Sequence, residues 1–166
     1  MDLLLRRATL SDLPGITAVE HLSFVHAGER FTPKRVQYLI INPRSIVTVA
    51  VQGDRVLGWA AGFVWLRGRE PWGRIYALAV HPDSRGQRVG VRLLGEMIRS
   101  LRNRGAGRIF LEVRVDNHSA IRLYQTVGFK TCRLLHNYYG QDLPAQRMEL
   151  PTPPHSGQRS DDARRS

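Results

Sequence analysis

Cysteine is almost missing from this chain: of 166 residues only Cys132 is one. A lone cysteine excludes an intramolecular disulfide and any multi-cysteine metal centre, and it fits a reducing cytoplasm. The six histidines show no metal-ligand spacing either, so no metal is expected. Lysine is nearly as scarce, with Lys34 and Lys130 alone, and acidic residues number 14 against 25 basic ones. The formal charge of +11 is therefore carried by arginine. Such a balance favours an acidic partner, although an arginine-rich codon usage gives the same balance with no partner at all. The arginines are scattered, without a homeodomain, zinc-finger or ribonucleoprotein signature, and nucleic acid is not required by the pattern. Long apolar runs are also lacking. The longest, Val56 to Leu66, suits a buried strand and falls well short of the ~20 residues of a membrane helix. Leu3 to Leu5 is too short an apolar run for a signal peptide. A soluble, cytoplasmic protein without a membrane partner is the expectation.

What is present reads as one α/β domain over residues 1–150. Hydrophobic residues at 42% and charged residues at 23% are ordinary for a globular chain. Leu3 to Arg7 predicts a strand, and Ser11 offers a hydroxyl to cap a helix running to about Phe24. Thr32-Pro33 starts a second helix and Asn42-Pro43 stops it. From Ser45 the period changes to two, and Gly53-Asp54 turns a hairpin into a strand from Val56 to Trp65. A third strand, about Arg74 to Val80, ends at His81-Pro82-Asp83. A long helix follows from about Gln87 to Arg104, with Val89, Leu93, Met97 and Leu101 repeating on one side and Gly105 closing it. Beyond it come a strand (Ile109 to Val115), a helix capped by Asn117 and ended at Gly128, and strands over Lys130 to His136 and Ala145 to Leu150. Strand, helix, strand, helix, strand implies a parallel crossover joined to an antiparallel half. Residues 151–166 have no apolar periodicity and are expected to be a disordered tail.

Two segments carry chemistry. In Ala77-Leu-Ala-Val-His-Pro-Asp-Ser-Arg-Gly-Gln-Arg-Val-Gly90 a strand, a glycine turn and a helix start follow in direct succession. Backbone N–H groups at such a turn, with the positive end of the helix, suit a phosphate anion. Here the chain resembles the GNAT superfamily of N-acetyltransferases, whose signature at this place is Arg or Gln, two residues, Gly, one residue, then Gly or Ala. Arg85 and Gly90 fit it, and Arg88 stands where the first glycine is usual, at a position expected to be helical and so to tolerate a side chain. The resemblance implies a central, mostly antiparallel mixed sheet of about seven strands flanked by four helices and splayed at its parallel pair. It implies acetyl-CoA as cosubstrate, with Leu78, Ala79 and Val80 offering backbone groups to the pantetheine and Arg85, Gly86, Gln87, Arg88, Val89 and Gly90 holding the pyrophosphate.

The second segment runs from Leu111-Glu112-Val-Arg-Val-Asp-Asn117 through Ala120-Ile-Arg-Leu-Tyr124 to Gly128-Phe129. Attack on a thioester needs a neutral amine, whereas an α-amine with a pKa of ~7.7–8.0 is largely protonated at neutral pH. A base, and an acid for the departing thiolate, would help. The run resembles RimI-like enzymes, the bacterial ribosomal-protein-alanine and related protein N-terminal acetyltransferases. That resemblance makes Glu112 the base acting through water, Tyr124 the acid for the sulfur, and Asn117 a cofactor contact as well as a helix cap. His136-Asn137-Tyr138-Tyr139 resembles the paired-tyrosine segment that holds a peptide N-terminus in those enzymes, although two tyrosines there could also stack under the sheet. The acceptor so implied is a protein N-terminus, a ribosomal protein being one candidate. Two other functions are kept: a small-amine acetyltransferase for a polyamine or aminoglycoside, which the positive charge disfavours, and a non-catalytic CoA- or RNA-binding module, against which Glu112 and Tyr124 speak.

Overall fold

Residues 2–66 and 68–154 are described in the structure, a computed structural model. Strand β1 (Leu4–Arg7) leads through a 3-10 turn (Leu10–Asp12) to helix α1 (Leu13–Ser23), and a second such turn (Ala27–Glu29) leads to α2 (Pro33–Ile41). Three strands follow, β2 (Ser45–Gln52), β3 (Arg55–Trp65) and β4 (Trp72–Val80), and then helix α3 (Val89–Asn103). The chain ends its regular part as β5 (Arg108–Arg114), α4 (His118–Thr126), β6 (Lys130–Leu135) and β7 (Ala145–Leu150). The seven strands form one sheet in the order β1-β2-β3-β4-β5-β7-β6, antiparallel throughout except between β4 and β5. This is the mixed fold with four helices that the sequence implied. Most of the expected tail, residues 155–166, lies outside the described residues. Of its first residues, Pro151 presents its carbonyl to Arg102 at 2.8 Å.

Both faces of the sheet are covered, which is why β2 is apolar at nearly every position. Ile46 and Ala50 face α3, whose Leu93, Leu94, Met97 and Leu101 are fully buried on one stripe. Val47, Val49 and Val51 face α1 and α2 and pack with Ile16, Val19, Val36 and Trp59. Truncating one such leucine or isoleucine to alanine costs about 2–5 kcal/mol.

Two local expectations are corrected. Ser11 does not cap α1: it lies inside the 3-10 turn, and α1 starts at Leu13. The organising group there is Asp12, whose carboxylate accepts from the Thr9 amide at 2.8 Å and from both terminal nitrogens of Arg6 at 2.8 Å. Helix α3 starts at Val89 rather than near Gln87, because Arg88 is left-handed, with φ 62° and ψ 11°. A helical Arg88 is thereby overturned, and the position is one where glycine is favoured. The other caps stand as read, Thr32 accepting from the Arg35 amide at 3.2 Å and Asn117 from the Ala120 amide at 3.2 Å.

Candidate active site

The parallel pairing of β4 with β5 runs only from Trp72–Arg108 to Ile75–Leu111. Beyond it the strands part, and the opening is a cleft of about 620 Å³ running to the N-terminus of α3. Leu78, Ala79 and Val80 form one wall and Arg85, Gly86, Arg88, Val89 and Gly90 its end, with Asn117 opposite. Gln87 does not line it; its side-chain amide donates to the Asp83 carbonyl at 3.0 Å. The Val80 carbonyl is taken by the Ser23 hydroxyl at 3.1 Å, a bond that ties α1 to the end of β4. Gly86 has a φ of 76° with open space around it. A Cβ on Gly90 would stand 3.3 Å from Leu123 and 3.5 Å from Val80, so α3, α4 and β4 meet there with little room. Free strand edge, glycine turn and helix N-terminus together fit an elongated ligand that carries amides and phosphates.

A second cavity, of about 320 Å³, continues the cleft on the side of β5. The two share Leu78, Arg114, Asn117 and Ala120, so they are two arms of one channel. Glu112 and Tyr124 both line the second arm. The Glu112 side chain is only 4% exposed and is held between two guanidinium groups. Arg74 on β4 donates to Oε2 at 3.0 Å, and Arg147 on β7 donates to Oε1 at 2.9 Å. Both Nε and a terminal nitrogen of Arg147 lie 2.9 Å from Oε1, so it is Oε2 that keeps a further lone pair for a water or an amine. Tyr124 is packed edge-on to Phe129, and its hydroxyl has no hydrogen-bond partner among the described residues. Burial pushes its pKa up to about 12, so the phenol keeps its proton across the physiological range.

Tyr138 and Tyr139 close the same arm from the β6–β7 connection, their rings 4.9 Å apart and nearly perpendicular. The Tyr138 hydroxyl accepts from Arg74 at 2.5 Å, and the Tyr139 hydroxyl donates to the Glu112 carbonyl at 3.1 Å. Burial raises both phenols above the usual range. The α1–α2 connection forms the opposite lip. Glu29 pairs with Arg114 at 3.0 Å, and a Cβ on Gly28 would run into the Tyr139 carbonyl oxygen, so only glycine permits the two lips to approach this closely. Glu20 lies deeper, accepting from the Trp59 indole at 2.9 Å and from the Phe31 amide at 2.8 Å. Burial pushes its carboxyl up.

Sequence reasoning missed Arg74, Arg147, Glu20 and the Glu29–Arg114 lip. The one available signal was parity. Arg74 sits opposite Phe110 in the β4–β5 register and Arg147 opposite Glu112 in the β5–β7 register, so both share the face of Glu112, but this is visible only once the strand order is known.

Residues 16–129 match the family model described as "Acetyltransferase (GNAT) family". The chain is similar to the N-alpha-acetyltransferase RimI of Mycobacterium tuberculosis, 33% identical over 101 residues that make up 60% of this chain and 61% of that protein. The curated relatives it matches are spanned only in part, down to 27% of the length of a Mycobacterium leprae protein. Its fold superposes on the ribosomal-protein-S18-alanine N-acetyltransferase of Escherichia coli with a TM-score of 0.76 at 25% identity, covering 91% of this chain and 94% of that one. It is also similar in fold to Arabidopsis thaliana NAA60 in complex with acetyl-CoA, with a TM-score of 0.80 at 19% identity, covering 90% and 98%.

Proposed function

Because the chain belongs to the GNAT acetyltransferase family, we propose that it moves an acetyl group from acetyl-CoA directly to the α-amine of a protein N-terminus, both substrates being bound at once. The observation that carries this reading is the channel itself, one arm presenting strand edge and helix N-terminus and the other a paired carboxylate and an unpartnered phenol. Residues 1–150 are the catalytic domain in this reading and the remainder a tail. The reaction is assigned to the cytoplasm, where Cys132 would stay reduced. No helix among the described residues is long and apolar enough to cross a membrane.

Acetyl-CoA supplies an activated thioester when bound. The backbone of Leu78 to Val80 and the turn from Arg85 to Gly90 would hold its amide and phosphate parts, with Asn117 at the junction of the arms. On the acceptor side Glu112 is the base, a bound water relaying the proton of the incoming ammonium to its carboxylate, and Arg74 and Arg147 fix the direction of that carboxylate. Tyr124 gives its proton to the departing sulfur; an unpartnered hydroxyl is free to turn toward it. Tyr138 and Tyr139 bound the opening through which a peptide would enter. An α-amine lies ~2 pKa units below lysine, so the water has less to do at a protein N-terminus than at a side chain. The similar enzymes, named as a ribosomal-protein-S18-alanine N-acetyltransferase in Escherichia coli and as an N-alpha-acetyltransferase in Mycobacterium tuberculosis, support this acceptor and make a ribosomal protein one candidate.

The test is an acetyl-CoA consumption assay with peptides of different N-termini beside polyamines and aminoglycosides, followed by mass spectrometry. A peptide beginning with Ala is expected to carry the acetyl group on its terminus in preference to an internal lysine. Tyr138→Ala is expected to raise KM more than it lowers kcat. Acetylation confined to lysine side chains or to free polyamines overturns the acceptor.

A further inference from the structure

A third opening borders the amine arm and takes no part in the mechanism above. It is a cleft of about 640 Å³ between α2 and the sheet at Phe63 and Trp65. Phe31, Arg35 and Tyr76 line both it and the amine arm, so the two adjoin. Its walls are aromatic and apolar: Phe31, Tyr38, Leu39, Phe63, Trp65 and Tyr76. Its charges are of one sign. Lys34, Arg35 and Arg44 line it, and no carboxylate does so among the described residues.

The neutral polar groups point the same way. Ser45 Oγ and Trp65 Nε1 are buried and have no hydrogen-bond partner among the described residues. Both residues line this cleft, and Ser45 as a whole is 2% exposed. A buried donor left unmet is costly, and such groups in a native fold need an explanation. The nearby acceptors are already engaged: the Asn42 side-chain oxygen accepts from the Arg44 backbone amide at 3.0 Å, and the Tyr38 hydroxyl accepts from the Asn42 side-chain amide at 3.2 Å. The cleft therefore offers donors and cations and asks for an acceptor-rich, negatively charged group on an apolar stem.

We propose that this cleft binds an acidic side chain of the acceptor polypeptide, glutamate fitting better than aspartate, within a few residues of the amine that is acetylated. The inference rests on the N-terminal acetyltransferase reading. An extended chain advances ~3.3 Å per residue, so a peptide whose first residue lies by Glu112 reaches a bordering cleft within its first few positions. Lys34 and Arg44 on the rim attract the carboxylate, Arg35 sits where the two openings adjoin, and the aromatic walls pack against the methylenes. The chain's excess of arginine thereby has a local use, selecting acceptors whose N-terminal segment is acidic.

The experiment measures kcat/KM for Ala-first peptides of equal length carrying Glu, Gln or Lys in turn at positions two to six, for the intact chain and for two variants. One variant is Lys34→Ala with Arg44→Ala, and the other is Trp65→Phe, which removes the indole donor and keeps a ring. The expected result is one position at which Glu exceeds Gln by about tenfold, with Lys poorest. The preference should shrink in high salt. It should fall to about twofold in the double variant and be reduced in Trp65→Phe. Equal rates for Glu and Gln peptides at every position overturn this inference alone, as does a preference that survives both variants. Failure to acetylate any peptide overturns it together with the N-terminal reading. A short single-stranded RNA that inhibits more strongly than the glutamate peptide, and less so in the double variant, would assign the cleft to nucleic acid and also overturn it.

Discussion

The two arms of the channel are made of different materials. The arm toward α3 is built from backbone: a strand edge freed by the splay, the turn at Gly86 and the first turn of a helix. The arm toward β7 is built from side chains drawn from three strands, the helices and two loops, with Glu112 held by Arg74 and Arg147 and overhung by Tyr138 and Tyr139. A backbone site tolerates many side chains and fails when bulk enters it. A side-chain site fails when one functional atom is lost. The substitutions that follow separate these modes.

The largest effect is expected at Tyr124. Tyr124→Phe removes a hydroxyl that has no hydrogen-bond partner among the described residues, so packing and melting temperature should hold while kcat falls by ~10²–10⁴. Steady-state kinetics beside a thermal melt make the measurement, and a variant with near-native kcat would return Tyr124 to a purely packing role. The same pair also reads the pH dependence of stability. The folded-state pKa of about 12 exceeds the unfolded value near ~10. The folded chain thus holds the proton more tightly, and this contribution is intact below pH ~10 and lost as pH rises toward 12. Between pH 9 and 11 the melting temperature of Tyr124→Phe should therefore fall less than that of the unaltered chain.

In the backbone arm the strongest break is Gly90→Glu. The new side chain starts 3.3 Å from Leu123 and brings negative charge to the end of the cleft proposed for pyrophosphate. Calorimetry should show CoA affinity reduced by at least ~10²-fold, the sum of lost helix-terminus attraction and steric exclusion. Gly95→Glu is the control, since it adds the same charge to α3 at a place where a Cβ meets nothing within 4 Å. Equal weakening by both would mean that overall charge, not the turn, governs binding.

The contrast between the arms also explains what could be read in advance. Backbone sites are written locally, and so the run from Leu78 to Gly90, with the cap at Asn117, was legible as a strand, a turn and a helix start in succession. The seven strands and four helices were legible for the same reason, each being a local period closed by a local cap. Side-chain sites are assembled from afar. Arg74 is 38 residues before Glu112 and Arg147 is 35 after it, and only the order β4-β5-β7 brings them together. A single carboxylate on a strand is ordinarily solvated, whereas the pairing of Glu112 with Arg74 and Arg147 lets its side chain be almost fully buried with its charge compensated. Glu20 carries no motif at all, and its place is set by the indole of a strand 39 residues away.

The smallest expected effect lies where the two materials meet, at Arg88, a side chain standing in a backbone site. Its left-handed φ of 62° costs an L-residue roughly 1–2 kcal/mol, and glycine recovers this less the ~0.5–1 kcal/mol of its own chain entropy. Arg88→Gly should therefore stabilise the fold by ~0.5–1 kcal/mol, a rise of about 2 °C in a thermal melt of a chain this size. Binding should move the other way. Arg88 lines the cleft and is solvent-exposed, so its charge contributes the modest attraction of an exposed ion pair, and CoA affinity should weaken roughly two- to fivefold on its removal. That loss should fade in high salt while the gain in melting temperature persists, because screening acts on the charge and not on the backbone. A tighter complex in Arg88→Gly would reverse the assignment, making the arginine an obstacle to phosphate approach in a turn that works best as bare backbone.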